Sequence, residues 1–194
     1  SLVGSEMCIR DSLKRITGAN ITISETKFSD IRMRRLPSRE TIPTIDELLE
    51  EFPDSFFNMD LKVSHIEEKV LRKINSHNAL ERVCLGSFNS RTIKKINALE
   101  PRILTSMGIS QVIMYKFFWK KTHSKLIQIP TSRYGIKVVT KNFIDRLHKD
   151  GCKVHVWTIN SESQMQTLIN LGVDGIMTDN ASGLMNVMRQ NKLI

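Results

Sequence analysis

Two residues two positions apart, Asp60 and Lys62, are the most chemically suggestive pair in the chain. They lie in Phe56–Val63, FFNMDLKV, whose alternation reads as a strand. On a strand Asn58, Asp60 and Lys62 share one face, while Met59, Leu61 and Val63 share the other. The apolar face can meet a helix layer. The polar face carries a carboxylate and an ammonium side by side. On a surface edge strand that pair would be unremarkable. If helices cover the sheet, the charges point inward, and buried charges persist only when paired or ligating. A third carboxylate, Asp179, ends a second apolar run, Val173–Thr178. In open α/β sheets and in (β/α)8 barrels the carboxyl ends of strands are where chemistry sits. Spacing leaves open whether Asp179 takes part there or caps the following helix.

The elements that must position these residues alternate. Lys153–Ile159 reads as a strand, Ser161–Leu171 as a helix with Ser161 as N-cap and Gly172 as stop, and Val173–Thr178 as a strand, which makes a parallel βαβ unit. Upstream, a helical stretch is expected over Lys27–Leu36. Pro43 and Thr44 open an amphipathic helix with Ile45, Leu48, Leu49 and Phe52 on one face. After the FFNMDLKV strand come a helix over His65–Asn78, with His65 and His77 facing solvent, and a strand over Arg82–Phe88. A helix follows over Ser90–Leu99, then strands over Arg102–Ser106 and Ile127–Ile129. A helix over Val139–Lys149, with His148 in its last turn, leads into the βαβ unit, and Ser182–Met188 closes the chain. This order favours a parallel sheet wrapped by helices.

Ile109–Lys125 breaks the rhythm, being apolar and aromatic and then basic. It fits a core helix of the outer layer. It also fits an interfacial helix on a membrane, with Trp119 at the boundary and Lys120 and Lys121 on head groups. No apolar run approaches the ~20 residues that span a bilayer.

Composition sets the wider bounds. The 194 residues, 40% of them hydrophobic, suit one domain or a piece of a larger one, and 29 basic against 20 acidic residues give a formal charge of +9. The excess suits anionic ligands, whether phosphates, lipid head groups or nucleic acid. Cys8, Cys84 and Cys152 cannot all pair and show no zinc spacing; Cys84 reads as core filler. With no signal peptide visible, a cytoplasmic location with peripheral membrane contact is expected. No Walker loop, GxGxxG, HExxH or GxSxG is present. Ser1–Asp11 matches no periodic template and reads as a non-native or disordered tail, which leaves 12–194 as one domain.

Several segments in order resemble the glycerophosphodiester phosphodiesterase family: SLKRITG (12–18), TIPTIDELLEEFP (41–53), NMDLK (58–62), VCLGSF (83–88), GCKVHVWTIN (151–160) and GVDGIMTD (172–179). The resemblance implies an α/β fold, a (β/α)8 TIM barrel. It implies hydrolysis of glycerophosphodiesters to glycerol 3-phosphate and an alcohol with a divalent cation, Ca2+ or Mg2+. Asp60 stands at the metal-binding acid, where the family usually has Glu. Lys62 matches the phosphate-facing catalytic lysine, and Trp157 and Phe88 match residues lining the substrate pocket. Asp179 matches an acid with a structural role or a role behind the metal ligands. The family's His-Arg-Gly strand, Glu-x-Asp strand and His-Asp strand end have no counterpart here; Ile9-Arg10 falls where His-Asp would stand. The expectation is therefore an incomplete barrel, about its last five strands, with a partial phosphate site and weak or no activity. Two other readings stay open: lysophospholipase D-type action on lysophospholipids at a membrane through 109–125, and a basic module for anions or nucleic acid. Nucleic acid is not expected, because the basic residues form no continuous stripe and no nucleic-acid motif appears.

Overall fold

The computed structural model describes residues 18, 22–36, 39–120, 124–133 and 135–194. The expected tail, Ser1–Asp11, and most of the 12–18 motif lie outside them.

The helices and strands alternate as the periodicity predicts. A short helix α1 (Phe28–Arg32) occupies part of the expected Lys27–Leu36 stretch. Helix α2 (Ile45–Glu51) begins just after Pro43 and Thr44, with Thr44 as its cap: the Thr44 hydroxyl accepts from the Glu47 N–H, and the Glu47 carboxylate accepts from the Thr44 N–H. Strand β1 (Phe57–Asp60) leads to α3 (Glu67–Ser76), β2 (Val83–Gly86), α4 (Ser90–Leu99), β3 (Leu104–Thr105) and α5 (Ile109–Phe118). Then follow β4 (Leu126–Ile129), an unforeseen antiparallel hairpin of β5 (Ser132–Arg133) and β6 (Ile136–Lys137), α6 (Lys141–Lys149), β7 (Lys153–Val156), α7 (Glu162–Leu171), β8 (Gly175–Ile176) and α8 (Ala181–Gln190).

Six of these strands run parallel, each at a stretch read as a strand, and they form two three-stranded sheets rather than one. The orders are β1-β2-β3 and β4-β7-β8. A single parallel bridge, Ser106 to Leu126, and the bond from the Met107 N–H to the Leu126 carbonyl (2.9 Å) join the sheets at their seam.

Each sheet has its own core on the helix side. Val83, Leu85, Leu71, Ile74, Ile93 and Ile96 pack behind the first sheet. Ile127, Val154, Val156, Phe143, Leu147 and Met165 pack behind the second. The opposite wall is polar. On it the Gln128 amide donates to Asn58 Oδ1 at 2.8 Å across the seam, linking β4 to β1 over 70 residues of sequence. Gly86 leaves room for that pair: a Cβ there would lie 3.7 Å from Gln128 Oε1 and 3.0 Å from Ser106 Oγ. Gly175 does the same for His155, whose ring carbon would sit 2.6 Å from an added Cβ.

Candidate functional site

The strands are parallel, so their carboxyl ends share one edge, and the residues singled out by sequence gather along it. Asp60 is the last residue of β1, and its carboxylate is paired with the Lys62 ammonium. Lys62 Nζ lies 5.1 Å from the centroid of the Phe88 ring. Phe88 meets Trp157 edge to face, centroids 6.5 Å apart and planes at 70°. Asp60, Lys62, Phe88 and Trp157 thus form one connected series that crosses from the first sheet to the second. A cation over a ring that itself offers its edge to a second ring is a favourable arrangement of charge and quadrupole.

Local folding fixes each member. The Leu61 N–H donates to the Gly86 carbonyl (2.8 Å), and the buried Ser87 hydroxyl donates to the Leu61 carbonyl (2.8 Å). The same hydroxyl accepts from the Asn89 N–H at 3.2 Å. The segment bearing Lys62 is therefore tied to the segment bearing Phe88. Behind it Glu67 is only 3% exposed. Its carboxylate accepts from the His65 and Glu67 N–H groups and pairs with Lys95 at 3.2 Å. Burial works against the Glu67 carboxylate, but these bonds outweigh it and hold its pKa below the usual value. His65, with φ +71°, sits in the left-handed region just ahead of α3. It is in a loop at the site edge, not on the helix where the periodicity put it. His65 is exposed as expected, but His77 is not solvent-facing: its side chain is 18% exposed and bonds Asp46 at 2.9 Å, joining α3 to α2.

On the second sheet the Trp157 N–H donates to the Ile129 carbonyl (3.2 Å), and buried Val156 and Ile159 bracket the indole-bearing residue. Asp179 does not cap the last helix. Asn180 does, accepting from the Gly183 N–H at 3.0 Å. Asp179 instead shares Asn160: Asn160 Nδ2 donates to its carboxylate (3.1 Å), and Asn160 Oδ1 accepts from its N–H (2.9 Å). That ties the loop after β7 to the loop after β8. Ser161 holds the N-cap position of α7 without capping it; its hydroxyl meets Ser163 at 2.8 Å. Gly172 stops that helix at φ +87°, as expected.

The sequence reading passed over Glu67, Ser87, Asn160 and His155. For His155 the signal was present, because alternation along β7 places it on Trp157's face. Its burial pushes the imidazole below its ordinary pKa, so it is neutral at pH 7.

A hard divalent cation takes six or more oxygens, commonly from several carboxylates. Among the described residues no group of three His, Cys, Asp or Glu could hold one. At this edge Asp60 offers one carboxylate, already held by an ammonium. These residues alone do not fit a metal centre.

Comparison with known proteins decides the lineage. Residues 7–182 match the Glycerophosphoryl diester phosphodiesterase family. The chain belongs to that family. It is 29% identical over 182 residues to the Mycobacterium tuberculosis protein named "Probable glycerophosphodiester phosphodiesterase 2", covering 88% of this chain and 69% of the relative. It is 25% identical to human "Lysophospholipase D GDPD1", covering 87% of this chain and 68% of the relative. Among solved structures it is similar to an Oleispira antarctica phosphodiesterase determined in complex with the product sn-glycerol-3-phosphate. That likeness has a TM-score of 0.73 and 21% identity, over 93% of this chain and 78% of the other. A glycerophosphoryl diester phosphodiesterase from Agrobacterium tumefaciens superposes with a TM-score of 0.78 at 14% identity, over 96% and 80%. The α/β fold is that of the family's barrel proteins.

Proposed function

We propose that the family chemistry, hydrolysis of a glycerophosphodiester to glycerol 3-phosphate and an alcohol, is what this edge serves. The reading rests on one observation above the others, the Lys62–Phe88–Trp157 series spanning the seam at the carboxyl ends of the strands. In this reading the Lys62 ammonium takes a non-bridging phosphate oxygen and holds the charge that grows there in the transition state. Asp60 orients that ammonium, and in the family chemistry it is the carboxylate at this edge that would contribute to holding a divalent cation, Ca2+ or Mg2+. Phe88 and Trp157 wall the substrate and exclude water. Asp179 holds the loop beside Trp157 through Asn160.

The family's His-Arg-Gly and His-Asp segments, which supply the proton-transfer groups, are not among these 194 residues. Positioned proton transfer contributes ~10²–10⁴-fold, so this chain alone turns over slowly or not at all. The decisive experiment extends it with N-terminal strands carrying those segments and follows glycerol 3-phosphate release with Ca2+, Mg2+ or chelator. Metal-dependent release that falls with Lys62→Ala supports the reading; release indifferent to Lys62 and Asp60 overturns the residue roles.

A second reading, lysophospholipase D-type action with peripheral bilayer contact through 109–125, is favoured by the relatives of that name. Release of the head-group alcohol from vesicle-borne lysophospholipid, faster than from the soluble diester, is its signature.

A further inference from the structure

Helix α5 is turned inside out. Tyr115 and Val112 face the core, and Tyr115 donates to Asp150 at 2.7 Å and to the Arg146 carbonyl. The solvent side carries Ile113, Met114, Phe117 and Phe118 and continues into Trp119, with Phe117 61% and Phe118 and Trp119 each 69% exposed. Single exposed apolar residues are ordinary, but a contiguous aromatic face marks a contact surface.

Charge says what the contact is. Between Glu100 and Asp145 the sequence has eight Lys or Arg and no acid. Arg146 stacks on Trp119, its guanidinium 4.8 Å from the ring, and Lys120 is exposed beside it. A second copy meeting this face about a two-fold axis would set like charges against each other. A nucleic acid would match the charge but leave Ile113, Met114 and Phe117 without an apolar partner. An anionic bilayer satisfies both, with aromatics at the acyl boundary and cations among head groups.

Topology then sets the orientation. Parallel strands alternating with helices put the C-terminus of α5, where the aromatics concentrate, at the amino edge of the sheets, opposite the Lys62–Phe88–Trp157 edge. We propose that the outer face of α5 docks this protein on anionic membrane with the site edge turned away from the lipid, so that its substrate is a water-soluble phosphodiester rather than a bilayer-embedded one. The substrate clause rests on the phosphodiesterase reading; the docking does not.

The test uses the full chain and vesicles of phosphatidylcholine with or without phosphatidylglycerol. Flotation is expected only with the anionic lipid, weakened by salt, and reduced about tenfold or more by Phe117→Glu or Phe118→Glu, the loss expected when an apolar anchor becomes a repelled charge. Both side chains lie outside the core, so these variants fold. Brominated acyl chains should quench Trp119 but not Trp157: Trp119→Phe should abolish quenching, and Trp157→Phe should preserve it. Several results overturn the proposal. These are no preference for anionic vesicles, variants that float like the parent, a dimer that the variants dissociate, duplex DNA bound through the same face, or quenching of Trp157. Failure of the N-terminally extended protein to release glycerol 3-phosphate from any diester, while flotation and quenching hold, would sink the phosphodiesterase reading and leave the docking standing.

Discussion

The two three-stranded sheets contribute different things to one edge. The first brings the charges, Asp60 and Lys62; the second brings the indole of Trp157 and the Asn160–Asp179 loop clamp. They are also held differently. Behind the first, the loop after β1 is fixed by polar bonds, with Ser87 on the Leu61 carbonyl and buried Glu67 on the His65 N–H. Behind the second, Trp157 is set between the apolar anchors Val156 and Ile159. In the proposed function Lys62 meets a phosphate and tolerates little drift, and directional bonds fix a backbone where apolar packing only confines it. Perturbing the first sheet should therefore cost rate or a larger, pH-dependent share of stability, and perturbing the seam should cost a smaller one.

The largest effect belongs to the charges. In the extended protein Lys62→Ala should lower kcat/KM by roughly 10²–10³-fold, the scale for removing one donor to a developing oxyanion. The melting temperature should hardly move, because the Asp60–Lys62 pair is part-exposed and such pairs add little stability. Loss of rate with an equal loss of fold would mean that the pair is structural.

Next comes the support behind it. Glu67→Ala leaves the His65 and Glu67 N–H groups without their acceptor and should cost about 2–3 kcal/mol, read as a lower urea midpoint; Glu67→Gln should cost less. The pH dependence has a definite sign. The folded Glu67, Asp46 and Glu100 carboxyls all lie below their ordinary values, Glu67 through backbone bonds and Lys95, Asp46 through Lys73 and His77, Glu100 through Arg102. Their stabilisation is full above the unfolded carboxylate range and is lost as pH falls through the folded values. Unfolding midpoints should be flat from neutrality down to about pH 5 and drop below it, less steeply in Glu67→Gln. A midpoint that rises on acidification would contradict the assignment.

Much of this was legible in the chain. The alternation in FFNMDLKV set Asp60 and Lys62 apart from Met59 and Leu61, and α4 begins and ends where its periodicity says. Capping chemistry settled what spacing had left open, since Thr44 of the Pro43–Thr44 start caps α2 and Asn180 rather than Asp179 caps α8. What failed did so for local reasons. His77 was read as solvent-facing because a helix stripe does not reveal that a neighbouring helix offers Asp46. Helix α5 was the hardest: apolar residues on both sides give no dominant stripe, and only Tyr115 reaching Asp150 decides which side turns in. The partition into two sheets was invisible too, since a break in a parallel ladder depends on register rather than on residue type.

Burial makes a smaller and cleaner comparison between the sheets. The Cys84 thiol on β2 is pushed up to about 12 by its apolar surroundings. It should resist alkylation at pH 8 until the protein unfolds, because the thiolate is the nucleophile. Rapid labelling in the native state would show that the first sheet opens locally.

The smallest effect tests the seam itself. The Asn58–Gln128 amide pair and the Ser106–Leu126 bridge are the polar links between the two sheets on the inner wall. A neutral pair of this kind contributes about 0.5–1.5 kcal/mol. Asn58→Ala and Gln128→Ala should each lower stability by about that much, and the double variant should lose less than their sum, because the second change removes a partner already gone. Fully additive losses would mean that the amides act separately. The seam would then be held by the Met107 bond to Leu126 and by Phe88 against Trp157. In that case Trp157→Ala, rather than either amide variant, should be the change that lets the two sheets move apart and exposes Phe88 and Lys62 together.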